Sequence, residues 1–284
     1  MPALDKRDLR DADGVVVPGQ TLGTALEDDA DAALAAAVVL PRRRHVSLLG
    51  YLGMPLALAL ASLALYLWVQ GKTLDSIEER RVNSDVIGEE LLQHLKLSVV
   101  STAFVIGLAV PLGILLTRSF ARWITPVVVG VANIGQSVPS IGVIVLLALW
   151  WDIGFRAAIV ALVAYSFLPV LRNTMVGLEQ VDHAVIEAGR GMGMTKLAVL
   201  GRVELPLAVP IILAGVRTAL VINVGTAALA TFTSAGGLGV IVVGGISTSR
   251  ETTIVTGAVL TAILALSIDW VAGVVEDVLR PKGL

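Results

Sequence analysis

Residues 185–206 read "VIEAGRGMGMTKLAVLGRVELP" and lie between two strongly apolar runs, at about 156–178 and 207–232. The stretch carries Glu187, Arg190, Lys196, Arg202 and Glu204 among its glycines. An apolar run, a charged Gly-rich interruption and a second apolar run fit two membrane helices joined by a loop in water.

The 284 residues are 56% hydrophobic and only 15% charged, and the mean hydropathy of +0.84 is that of a membrane protein. Lipid admits only helices or closed barrels, because backbone polar groups there must be satisfied within the chain. The apolar runs are long and unbroken, without the alternation of barrel strands, which predicts an all-α polytopic membrane protein. The net charge of −2 is carried by the tail and loops, and no basic patch suggests a nucleic-acid partner. There is no cysteine, and His45, His94 and His183 fall in separate segments, so no metal site is expected.

Residues 1–46 form an acidic segment, with Asp5, Asp8, Asp11, Asp13, Glu27, Asp28, Asp29 and Asp31, and are expected to be a mostly disordered cytoplasmic tail. A first span is expected at 47–69. It follows Arg42, Arg43, Arg44 and His45, which place the tail inside by the positive-inside rule, and it starts too far along the chain for a cleaved signal peptide. Residues 70–91 are expected as an extracytoplasmic loop. Further spans are predicted at about 92–117, 124–150, 156–178, 207–232 and 253–275, with residues 277–284 a cytoplasmic C-terminus. The third is interrupted by "GQSVPSIG", where Pro139 removes a donor, and residues 233–252 form an outer segment that dips partly into the bilayer. Six crossings leave both termini cytoplasmic, with Arg118 and Arg122 on the inner side.

Enzymatic readings find little support. "GKT" at 71–73 resembles the end of a phosphate loop, but Tyr66 stands where the earlier glycine is required. "GRGMGM" at 189–194 has the wrong glycine spacing for a dinucleotide fingerprint and follows no strand. An intramembrane protease would need a Ser/His pair or paired aspartates, yet no histidine is expected deep in a span and Asp269 is alone.

Polar groups within spans are costly and default to functional candidates. Arg217 lies roughly 16 Å into the fifth span at 1.5 Å per residue, a depth similar to that of Asp269 in the sixth. The two are expected to form an intramembrane ion pair, unless Arg217 pairs elsewhere inside the bundle. Gln136, Ser137, Pro139 and Ser140 at the helix break, and Asn223 and Thr226 in the fifth span, are candidates for a translocation path. Hydrogen bonding between adjacent helices explains such residues equally well.

Glu187-Ala188-Gly189, then Gly193, then Val203, Leu205 and Pro206 resemble the EAA motif of ABC importer permeases, with Gly189 and Val203 in place of the second alanine and the isoleucine. "QSVPSIGVIVLLALWWDIG", "AIVALVAYSFLPVLRNTMVGLEQVDHAVIEAGRGMGMT", "RVELPLAVPIILAGVRTALVINVGTAALA" and "SAGGLG" extend the likeness to permeases of the osmoprotectant group, which move glycine betaine, choline, carnitine or related quaternary amines. The resemblance implies a five-helix type I permease core over residues 92–276, preceded by one additional N-terminal helix, in a multi-pass protein of the cell membrane. It implies that 185–206 is the coupling loop, folded as two short helices bent at Gly193 and docked on a separate ABC ATPase dimer. Glu187 would cap or anchor the helix pair, and Pro206 would suit the first turn of the re-entering span, where its missing N–H costs nothing. ATP and Mg would be bound by the ATPase, with no cofactor in this chain. The other implied partners are a second permease copy or a paralogue, an extracytoplasmic solute-binding protein, membrane lipid and a quaternary amine. Aromatic residues are only 5% of the chain, and Trp150 and Trp151 are expected at an outer interface, so tight recognition by an aromatic cage is expected in the binding protein. The competing reading is a stand-alone secondary transporter or channel, which would need coupling carboxylates near midplane beyond Asp269.

Overall fold

The computed structural model describes residues 48–279, which are almost wholly helical. The acidic tail at 1–46 and residues 280–284 lie outside the described residues. The first helix, α1 (Leu48–Gln70), presents Leu52, Leu56, Leu60, Leu63 and Leu67 as exposed side chains, as expected of a helix solvated by lipid. A short helix, α2 (Ser76–Glu79), follows under a capping box in which Asp75 and Glu78 each accept from the other's backbone N–H.

The next helix, α3 (Ser84–Leu116), is 33 residues long, about 50 Å at 1.5 Å per residue against a hydrocarbon core of about 30 Å. It starts earlier than the predicted 92. Asn83 caps it by accepting from Val86 N–H at 2.9 Å, so its first two turns are polar helix in a region expected to be loop. After a 3₁₀ turn at Ser119–Ala121 come α4 (Thr125–Ser137) and α5 (Ser140–Trp150), which meet at 93°. The third predicted span is therefore a bent pair. Val138, preceding proline, is extended (φ −74°, ψ 134°), and Pro139 then leads into a new helix as its N-cap.

The chain returns through α6 (Phe155–Glu179), passes α7 (His183–Gly191) and α8 (Lys196–Val199), and continues through a π-helical turn at Leu200–Glu204 into α9 (Leu205–Ala227). The fifth span thus begins inside the loop rather than at 207. A 3₁₀ turn (Ala228–Thr233), α10 (Gly239–Thr248) and α11 (Glu251–Leu279) complete the described fold, and α10 gives the predicted outer segment a helix too short to cross. Among the described residues five helices are long and apolar enough to cross a membrane, or six if the bent pair forms one span.

The centre is a three-helix bundle of α3, α6 and α9. Val105, Ala109 and Leu116 meet Val170, Leu171 and Ala219 in one buried cluster, and Leu178, Ala208 and Ile212 form another nearer the loop. Small residues let the backbones approach: an added Cβ on Gly215 would stand 2.6 Å from Asn173 Cβ, and one on Gly113 would stand 2.8 Å from Thr174 Cβ. This central bundle holds the loop 185–206 at one end and the segment 234–238 at the other.

Candidate functional site

The loop is a helix, a glycine turn and a second helix. Asp182 caps α7 by accepting from Ala184 N–H at 2.8 Å, and Thr195 caps α8 by accepting from Ala198 N–H at 3.2 Å. Glu187 is therefore not the cap. It sits exposed in the middle of α7, and its side chain makes no hydrogen bond or ion pair with the described residues. Ala188 is exposed as well. Gly193 has φ +84°, a conformation that L side chains rarely adopt, and it makes the reversal between the two helices.

The other motif residues face inward. Gly189 is buried, and a Cβ there would lie 3.5 Å from Met194 Sδ and from Val199 Cγ2 and 4.0 Å from Val203 Cγ2. Leu205 packs on the cluster of Leu178, Ala208 and Ile212. These contacts hold α7 against α8 while leaving an outer surface of Glu187, Ala188, Met192 (78% exposed) and Leu197 (80% exposed). Exposed apolar side chains beside an unpaired carboxylate make a surface suited to a protein partner.

Pro206 stands in the first turn of α9 as expected, but the helical path does not begin there. Leu205 N–H reaches back to Leu200 C=O, the wide spacing of a π turn, which carries the helix across the position where proline would otherwise clash. Glu204, inside that turn, is 5% exposed and receives Arg118 Nη2 at 2.6 Å and Nη1 at 3.4 Å. Sequence reasoning misses this pairing. An arginine just past one span and a glutamate just before another, on the same side, is the available signal.

Arg217 and Asp269 are brought together. Nε donates to Oδ1 at 2.7 Å and Nη2 to Oδ2 at 2.8 Å, joining α9 to α11. Glu276 is a third member, accepting from Arg217 Nη1 at 3.4 Å. It lies two helical turns beyond Asp269 on the same face of α11, a spacing the sequence contains. Beside the cluster is a cavity of about 410 Å³, lined by Arg217, Ser267 and apolar residues of α3, α9 and α11 such as Val99, Leu220 and Val271.

The path candidates do not converge. Asn223 is fully buried and donates from Nδ2 to Thr102 Oγ1 at 2.9 Å, while its Oδ1 is buried without a partner. Thr226 and Ser137 bond back to their own helices, at Ile222 and Asn133 C=O. Gln136 reaches Tyr165 C=O at 3.4 Å, and Pro139 and Ser140 form the bend. In this structure Asn223 acts as a residue that joins α3 to α9.

His94 stands at the opposite end of the central bundle from the loop. His94 lies near the predicted start of its span and not deep within it, and it is fully buried against the rest of the bundle. Leu238 N–H donates to its Nδ1 at 3.2 Å, which leaves the proton of the neutral ring on Nε2, and this donates to Val224 C=O at 2.8 Å. Glu90 accepts from Gly237 N–H at 2.6 Å and Gln93 donates to Ala235 C=O at 3.0 Å. One face of α3 thus holds the backbone of "AGGL" at 235–238.

Residues 109–281 match the family described as binding-protein-dependent transport system inner membrane component. The chain is 39% identical over 208 residues to the carnitine transport permease protein OpuCD of Listeria monocytogenes serotype 1/2a (strain 10403S), covering 72% of this chain and 92% of that protein. It is 41% identical over 200 residues to the glycine betaine/carnitine/choline transport system permease protein OpuCD of Bacillus subtilis (strain 168), covering 70% and 86%. It is 36% identical over 216 residues to the osmoprotectant import permease protein OsmW of Salmonella typhimurium (strain LT2), covering 74% and 100%. Among solved structures, an inward-facing MetNI methionine ABC transporter superposes with a TM-score of 0.61 at 26% identity, over 68% of this chain and 96% of that one. An amino acid ABC transporter with histidines shares the fold, with a TM-score of 0.59 at 18% identity, over 72% and 99%. A polytopic helical core with a helix–glycine–helix loop leading into a span, matched by these relatives over most of their length, places this chain in the family of binding-protein-dependent transport system inner membrane components: it is an ABC importer permease.

Proposed function

We propose that this permease forms the membrane path for an osmoprotectant of the quaternary-amine class, such as glycine betaine, choline or carnitine, and that a separate ATPase drives it through the loop 185–206. The substrate class is supported by the similar permeases of Listeria, Bacillus and Salmonella, whose names specify those solutes or osmoprotectants in general. The observation that carries the coupling reading is the outer surface of Glu187, Met192 and Leu197, held in shape from behind by Gly189, Val199 and Val203. The ATPase dimer binds ATP and Mg and docks on that surface, which faces the cytoplasm with both termini. A second permease, identical or paralogous, completes the path, and an extracytoplasmic binding protein supplies most of the affinity. Motion of the ATPase then displaces α8, which continues through the π turn into α9.

Radiolabelled betaine, choline, carnitine and proline are offered to a transport-null host expressing this chain with its ATPase and binding protein. Uptake of at least one quaternary amine, abolished when the ATPase is catalytically dead, is the expected result. Accumulation that ignores the ATPase would favour a stand-alone transporter.

A further inference from the structure

We infer that Arg118 and Glu204 form the joint through which displacement of the loop 185–206 is passed to α3, with the π turn at Leu200–Glu204 as its hinge. The inference rests on the coupling reading above. Three observations converge on it. The first is the backbone. The helix from α8 into α9 is loosest between residues 200 and 210, where Leu205 N–H takes the long route to Leu200 C=O and Pro206 and Pro210 have no N–H to give. A helix bends where its ladder is thinnest, so a push on α8 would be absorbed here unless something braces the segment.

The second observation is the brace itself. Glu204 lies in that hinge, and its carboxylate is turned inward and nearly fully buried rather than left in water. A buried carboxylate must be paired, and the pairing is two-pronged onto one guanidinium. The third is where that guanidinium is anchored. Arg118 follows the last turn of α3, and its Nε also donates to Ile114 C=O at 3.3 Å, one of the terminal carbonyls of that helix. Arg118 therefore ties the hinge to the end of α3, which packs along both α6 and α9. With the tie in place, the hinge and α3 move together; without it, the loop can swing while the core stays still.

The chain is reconstituted in proteoliposomes with its ATPase and binding protein, and solute moved per ATP hydrolysed is measured for Glu204→Gln, Arg118→Gln and the exchange R118E/E204R. The single variants are expected to lower that ratio about fivefold or more while the ATPase still co-purifies, and the exchange is expected to recover part of the loss. An unchanged ratio in both singles would overturn the inference, as would loss of the ATPase from all three variants, which would make the pair part of the docking surface. A second measurement does not depend on activity. The chain has no cysteine, so spin labels at F120C and G201C, both exposed positions, mark only the two sides of the joint in each copy, and the distance within one copy is followed. That distance should hold steady on ATP binding with Glu204 present and change with Glu204→Gln; a distance that changes equally in both would overturn the joint. An unaltered chain that recruits no ATPase would instead sink the coupling reading itself.

Discussion

Asp269 receives both arms of the Arg217 guanidinium, at 2.7 and 2.8 Å, across the contact between α9 and α11. Each side chain is about one-third exposed, so the pair is neither a solvated surface bridge nor a fully buried one. Arg217→Ala and Asp269→Ala are each expected to cost about 1–3 kcal/mol, below the figure for breaking a fully buried pair. The double variant should cost clearly less than the sum, because the second removal no longer strands a charge. Thermal unfolding in detergent measures all three. Glu276→Gln should cost less than Asp269→Asn, since Glu276 contributes one contact at 3.4 Å against two short ones. Strict additivity of the alanine variants would mean that the two charges do not interact.

Two glycines four residues apart in the loop are expected to respond oppositely to alanine. At Gly189 the new methyl would sit at ordinary contact distance from Met194, Val199 and Val203, in a helix where alanine is favoured over glycine by about 1 kcal/mol. Gly189→Ala should raise the melting temperature and keep the ATPase bound. At Gly193 there is open space for a methyl, but φ is +84°, and the strain of about 1–2 kcal/mol falls on the turn that sets the angle between α7 and α8. Gly193→Ala should lower ATPase co-purification. Equal responses would show that the turn is not conformationally special.

The spans are legible in the sequence because hydropathy over twenty residues is a direct record of what faces lipid. The start of α3 is not, since Asn83 to Leu91 is a polar, capped helix whose charges look like loop to any hydropathy reading. The bend at Pro139 is signalled by the proline, but its 93° angle depends on what α5 packs against. Depth alone pairs Asp269 with Arg217. Glu276 shares the helical phase but lies close to the end of the span, where a carboxylate needs no partner and so draws no notice. The roles of His94 and Glu204 depend on tertiary packing: Val224, Leu238 and Arg118 meet them only once the bundle and the segment 234–238 are assembled, and the flanking positions of Arg118 and Glu204 signal a shared side of the membrane without specifying a pair. The π turn has no residue signature at all, because it is a slip of the hydrogen-bond ladder and not a composition.

His94 joins the "AGGL" segment to the end of α9 through two ring nitrogens. His94→Ala would leave Leu238 N–H and Val224 C=O unpaired in a buried site and open a cavity, for an expected loss of about 2–4 kcal/mol. Hydrogen exchange should show Leu238 and its neighbours losing protection before the rest of the central bundle. Glu90→Gln should act more mildly, because the amide oxygen can still accept from Gly237 N–H. If exchange at Leu238 were unchanged in His94→Ala, the ring would be a filler of space rather than a tie.

Asp75 provides the pH test, because it lies outside the spans. The backbone N–H of Glu78 at 2.9 Å, then that of Ile77 and the Arg250 guanidinium at 2.7 Å, hold its carboxyl below the usual carboxylate range despite some desolvation. A depressed carboxylate binds its proton more weakly folded than unfolded. Its contribution is therefore fully present above the unfolded pKa of about 3.9 and is lost as pH falls through the lower, folded value. Asp75→Asn keeps a capping oxygen but removes the charge, so the variant's thermal stability should fall less steeply than that of the unaltered chain below about pH 4. The difference between the two should be constant from about pH 5 to 8, where the carboxyl stays ionised in both states. Parallel curves down to the acid limit would show that the cap and the Arg250 contact place no demand on the charge of Asp75.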